Sequence, residues 1–174
     1  RRRHTRLRTV TGIQTCALPI YGQTISWWNR SAEAIEKFNK RKHNPQYLTS
    51  VHFDMHKIRL TTDAATVIRE SDVIIIAIPS AYVVQTLSSL PLNIFSGKKI
   101  VSAVKGILPD NNKLLNDHLH DQFDFPLSDY FAVLGPCHAE GVAAEKLSYL
   151  TFAGIDQTVT RSEEHTSELQ SPYV

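Results

Sequence analysis

Several short stretches bring together residue types that could do chemistry. Lys105-Gly106 follows an apolar, β-branched run. A lysine at the end of a buried strand sets an ammonium beside whatever binds there; the alternative is a side chain snorkelling to the sheet rim. Gly135-Pro136-Cys137-His138 reads as a turn leading into a helix N-terminus. Free backbone N–H groups at such a terminus suit an anionic ligand. Pro79-Ser80 closes the most apolar run of the chain, and Asn29-Arg30 closes another strand-like run. Cys137 could also be read as a nucleophile, but nothing around it calls for a thiolate.

Histidines offer a second kind of chemistry. His52, Asp54 and His56 alternate and could share one face of a strand. Two histidines and a carboxylate can hold a metal when clustered, but a solvated surface loop is the expectation here, and no metal is assigned. His118, His120 and Asp121 fall near a helix end, where a cationic imidazole favours the dipole. They are read as solvated. Cys16 and Cys137 form neither a disulfide framework nor a zinc pattern.

Alternating strands and helices must position these residues. Residues 24–28 are β-branched and aromatic and predict a strand. Ser31 is a good N-cap and Glu33 sits in the first turn, predicting a helix to about Lys42. Residues 58–61 predict a strand and 62–70 a helix. Residues 72–78 contain V-I-I-I-A-I, which suits a central parallel strand buried on both faces. Ser80 is expected to cap a helix carrying Val83, Val84, Leu87 and Leu90. A strand over 99–104, a helix opened by Asp110, a strand over 131–134, a helix over 139–145 and a strand over 149–153 complete the order. Such alternation predicts an α/β fold, a doubly wound parallel sheet with helices on both faces. Ligands in such sheets bind beyond the carboxyl ends of the strands, where the candidate residues lie.

The 174 residues are 42% hydrophobic and 21% charged, which excludes a disordered chain. No apolar run is long enough for a membrane helix. Five arginines and no acid lie in residues 1–20, while Glu163, Glu164 and Glu168 oppose Arg161 near the other end. The string R-S-E-E-H-T-S-E-L-Q-S over 161–171 reads as a translated sequencing-adapter oligonucleotide. V-T-G-I-Q-T-C-A-L-P-I over 10–20 matches a translation of its opposite strand, apart from Ile13. Residues 1–20 and 161–174 are therefore expected to be non-native tails. Residues 21–160 are expected to form a partial dinucleotide-binding domain. No G-x-G-x-x-G occurs, so the first strand and its glycine-rich turn are expected to be missing, giving an incomplete Rossmann-type sheet.

Five motifs carry a resemblance: W-W-N-R, N-P-Q-Y-L, A-I-P-S, V-K-G and G-P-C-H-A-E. Over about residues 23–156 the chain resembles the bacterial soluble NAD(P)-dependent glycerol-3-phosphate dehydrogenases. V-K-G with G-P-C-H-A-E is the specific pair; A-I-P-S recurs in many related dehydrogenases. The family's serine is replaced by Cys137, and its glutamate falls on Gly141. Tyr47-Leu48 is followed by Thr49-Ser50 where the family has Pro-Gly.

The resemblance implies NADPH or NADH as cofactor and dihydroxyacetone phosphate and sn-glycerol 3-phosphate as substrates, in phospholipid synthesis. It implies cofactor binding at Arg30, Pro79, Lys105 and Ala139, and substrate binding at Lys105, Gly135 and Cys137. An acid after the second strand selects the ribose of NAD, whereas a base accommodates a 2′-phosphate. No acid directly follows that strand here, so the phosphorylated cofactor is admitted; otherwise Arg30 merely covers a strand end. The family's proton-relay lysine lies in a helical C-terminal domain and is expected beyond this chain, which is expected to be inactive alone. A cytoplasmic enzyme without membrane insertion is implied, and a homodimer is admitted for the full-length protein. One rival is another reductase of this superfamily, of ketopantoate or hydroxyacid type, against which G-P-C-H-A argues. The other is a nucleic-acid module using the basic arm of residues 1–8. Its charge would act without sequence preference, and no nucleic-acid partner is expected.

Overall fold

The computed structural model describes residues 24–44, 52–135 and 151–155. The expected helix over 139–145, the N-P-Q-Y-L motif beyond Asn44, Cys137, Ala139 and both tails lie outside them. So does the expectation of a missing first strand, which concerns the residues before Thr24.

The elements alternate as the hydrophobic pattern predicts. β1 is Ile25–Trp28, α1 Ala32–Arg41, β2 Ile58–Thr61, α2 Ala64–Arg69 and β3 Val73–Ile76. A 3-10 turn at Ser80–Tyr82 leads into α3, Val83–Leu87; β4 is Lys99–Ser102 and α4 Leu115–Phe123. β5 is Tyr130–Leu134 and β6 Thr151–Gly154. Among the described residues the strands form two sheets, β1-β2 and β3-β4-β5-β6. The pairs β1-β2, β3-β4 and β4-β5 are parallel, as expected.

The V-I-I-I run of β3 is apolar because both of its faces are covered. Ile74 and Ile76 face a core with Val67 and Ile68 of α2, Val83 and Leu87 of α3, and Leu115 and Leu119 of α4. Val73 faces the other side with Val101 and Phe131. Ile74 and Ile100 are 0% exposed. A third cluster joins Trp27 and Ile58 to Phe38 of α1 and to Phe53, with edge-on aromatic contacts. β1 links two cores, because Trp28 points away from Trp27 and packs against the β3 core.

Local signals set the first helix. The Ser31 hydroxyl accepts from Ala34 N at 3.2 Å, and Lys42, at φ 58°, closes the other end through Phe38 O. Glu33 pairs with Lys37 one turn on, which holds the glutamate pKa below its ordinary value.

Four expectations need correction. β6 is antiparallel to β5, with Leu134 opposite Thr151 and Phe131 opposite Gly154. Among the described residues it is an edge strand, whose residues alternate between exposed and half-buried, unlike a central parallel strand. Ser80 does not cap a helix: the chain makes a 3-10 turn without a side-chain cap. The following helix stops at Leu87, where Ser88 and Ser89 bond back to Gln85 and Thr86 carbonyls and Pro91 bars continuation. Asp110 does not open α4. Residues 108–113 form a turn with Asn112 left-handed at φ 56°, and the helix begins at Leu115. Asn-Asn after Pro109 favours that turn. His118 is not solvated: it is 6% exposed, on the face that carries Leu115 and Leu119.

Truncating Ile74 to alanine should cost about 2–5 kcal/mol. The same truncation at Leu92, which is 72% exposed, should stay within about 0.5 kcal/mol. Denaturant midpoints of the two variants check this. Asp63→Ala should also lower the midpoint by the same measurement, because Asp63 caps α2 through Thr66 N.

Candidate functional site

The register of the larger sheet determines where its strands deliver the chain. Ile76, Ser102 and Ala132 form one row across β3, β4 and β5. Pro79, Lys105 and Gly135 each lie three residues beyond that row. Parallel strands in register therefore bring these three to the same end of the sheet.

Each exit is shaped locally. Ala103 N donates to Ile76 O at 2.9 Å, carrying the β3-β4 pairing past both strands. The buried Ser102 hydroxyl accepts from Val104 N at 3.2 Å and turns the chain. Lys105 is then exposed, and Gly106 adopts φ +76°, a conformation that favours glycine. Gly135, after β5, has φ 143°. Pro79 is extended and exposed.

The smaller sheet reaches the same end through one contact. The Arg30 guanidinium lies over the Tyr82 ring, 4.7 Å from its centroid. Arg30 follows β1 and Tyr82 ends the turn after Pro79, so the exits of β1 and β3 adjoin. Arg30 sits in a tight bend where Asn29 Oδ1 accepts from Ser31 N at 2.9 Å. Trp28 Nε1 donates to Thr62 O at 3.0 Å, tying the exits of β1 and β2 together.

Arg30, Pro79, Lys105 and Gly135 are thus assembled at the strand exits, whereas Cys137 and Ala139 lie outside the described residues. Tyr82 was not singled out from sequence; its signal is an aromatic three residues past a strand-ending proline. An exposed guanidinium on an aromatic face keeps N–H donors for a phosphate. An exposed ammonium one strand further suits another electron-rich group. These residues fit a phosphorylated, ring-bearing cofactor. They do not supply a glycine-rich cradle for a pyrophosphate, since no G-x-G-x-x-G occurs in the chain.

The histidines are engaged otherwise. The His43 and His52 rings meet edge-on at 6.0 Å, and Asp54 Oδ1 accepts from His56 N at 3.1 Å. Among the described residues no group of three His, Cys, Asp or Glu is arranged to hold a metal ion. No described helix is long and apolar enough to cross a membrane.

Comparison with known proteins extends this picture. A glycerol-3-phosphate dehydrogenase [NAD(P)+] from Neorickettsia sennetsu is 28% identical over 136 residues, covering 78% of this chain and 40% of that protein. The chain thus spans about two fifths of that relative's length. Two solved structures share the fold. The glycerol-3-phosphate dehydrogenase of Plasmodium falciparum has a TM-score of 0.77 at 21% identity, over 95% of this chain and 50% of its own. The enzyme from Coxiella burnetii has a TM-score of 0.76 at 16% identity, over 91% and 50%. The family model for the NAD-dependent glycerol-3-phosphate dehydrogenase N-terminus matches residues 14–160, most of the chain, and the chain belongs to that family.

Proposed function

We propose that this chain is the cofactor-binding part of an oxidoreductase that interconverts dihydroxyacetone phosphate and sn-glycerol 3-phosphate with NADPH or NADH, in the cytoplasm. The observation that carries the reading is the common exit of Pro79, Lys105 and Gly135 within the matched span, with Arg30 beside it. A bound nicotinamide cofactor supplies the hydride. Arg30 pairs with a 2′-phosphate at the adenosine end, with Tyr82 holding its guanidinium flat. Pro79 gives a stiff wall, and Ala139, outside the described residues, is assigned to cofactor binding by the family resemblance alone. Lys105 presents its ammonium to both cofactor and substrate. Gly135 and, outside the described residues, Cys137 are assigned to the anionic substrate by the family resemblance. On this reading the proton comes from a lysine outside these 174 residues.

The test uses the full-length enzyme carrying these residues, followed by NADPH oxidation. Lys105→Ala should lower kcat/KM by roughly a hundredfold or more. Arg30→Ala should raise KM for NADPH by about tenfold, a loss of one charge-assisted contact, and leave NADH unaffected. Full activity of the Lys105 variant would overturn its role. The 174-residue chain alone should bind NADPH weakly and show no turnover, because losing the proton donor costs roughly a hundredfold by itself. Turnover by that chain would contradict the reading.

A further inference from the structure

The turn that follows Lys105-Gly106 is fastened to α4 by the side-chain amide of Asn111 and by the Lys113–Asp121 ion pair. Leu108 N donates to Lys113 O at 2.8 Å and Asn112 N to Leu108 O at 2.8 Å, closing the turn. Asn111 then reaches in two directions. Its Oδ1 accepts from Lys113 N at 3.1 Å, and its Nδ2 lies 3.1 Å from Nδ1 of His118 on α4.

These two contacts fix the histidine tautomer. A backbone N–H can only donate, so the Asn111 oxygen must face Lys113 and the NH2 must face the ring. His118 Nδ1 therefore presents its lone pair, and the ring proton sits on Nε2. Protonating the ring would place a second donor against the Asn111 NH2. Either that contact opens, or the amide turns over and releases Lys113 N–H.

We propose that Asn111 and His118 form a proton-sensitive latch, which fastens the turn behind Lys105 to α4 near neutral pH and loosens it in mild acid. The latch stands on the geometry of the turn and holds whatever ligand Lys105 meets. Burial is the largest influence on His118 and holds its pKa below the ordinary value. Among the charged groups facing the ring, Asp121 and Asp110 favour its protonation, while Lys113 opposes it. Lys113 and Asp121 are themselves paired, Asp117 acts on Lys113, and His120 acts on Asp121 from the exposed side of α4. A lowered folded pKa means the unfolded chain takes the proton first. The stabilisation is therefore present above the ordinary histidine value of 6.5 and is lost as pH falls toward the lowered folded value.

Nitrogen-15 side-chain spectra of the 174-residue chain read the tautomer directly. The account expects the Nε2–H form and a midpoint below 6.5; an Nδ1–H form, or a midpoint at or above 6.5, overturns it. Amide exchange at Leu108 and Lys113, corrected for intrinsic rates, reads the latch. Between about pH 7.5 and a pH below the His118 midpoint read from those spectra, protection should fall roughly fivefold, the worth of one hydrogen bond. His118→Leu should remove that pH dependence, and Asn111→Ala should give low protection at both values. Unchanged protection in the parent chain, or the same fall in His118→Leu, refutes the latch. Should either variant fail to fold, the tautomer and exchange of the parent chain still decide.

Discussion

The parallel pairing of β3 with β4 is the constraint on which the rest depends. It aligns Ile76 with Ser102 and continues into the Ala103–Ile76 hydrogen bond beyond the strands. A shift of one residue would turn Ile74 and Ile100 from one core to the other face. Both are fully buried, so the register has no inexpensive alternative. The positions of Pro79 and Lys105 are consequences of that register, because each follows its strand by a short, hydrogen-bonded exit. Chemistry at the sheet end is thus fixed by packing in the sheet middle.

The smaller sheet is joined to this frame through the Trp28 face of β1, while the Trp27 face holds its own aromatic cluster. Trp27 gathers Phe38 and Phe53 on one face, and Trp28 leans on the β3 core from the other. Among the described residues Trp27 Nε1 is buried without a hydrogen-bond partner, a cost carried by the aromatic packing around it. The adjacent tryptophans thereby bring Arg30 to Tyr82. Family membership and this contact are independent observations that bear on one surface: the matched span contains every element that delivers a residue to the strand exits.

Much of this was legible in the residues themselves. The V-I-I-I run, the Ser31 cap and the alternation of elements are local signals, and β1, α1, β2 and β3 follow them closely. What was not legible depends on partners distant in the chain. The direction of β6 is decided by where the chain re-enters the sheet, which four residues alternating between exposed and half-buried do not encode. The start of α4 was misjudged because an aspartate after proline also suits a turn. His118 carried a signal that was passed over: it lies three residues after Leu115 and one before Leu119, on the same helical face. Tyr82 became informative only once Arg30 was placed above it. The strand exits at Arg30, Pro79, Lys105 and Gly135 were readable; the packing that assembles them was not.

The central claim is that the carboxyl ends of β1, β3, β4 and β5 form one cofactor-binding surface. The most direct test is a titration of the nitrogen-15-labelled chain with NADPH to millimolar concentration, following backbone amides. The account predicts shifts at Arg30, Ser31, Ser80, Tyr82, Lys105, Gly106 and Gly135, and quiet amides at Ile58, Asp72 and Lys99, at the opposite strand ends. Shifts centred on those opposite ends, or none at millimolar cofactor, would contradict it.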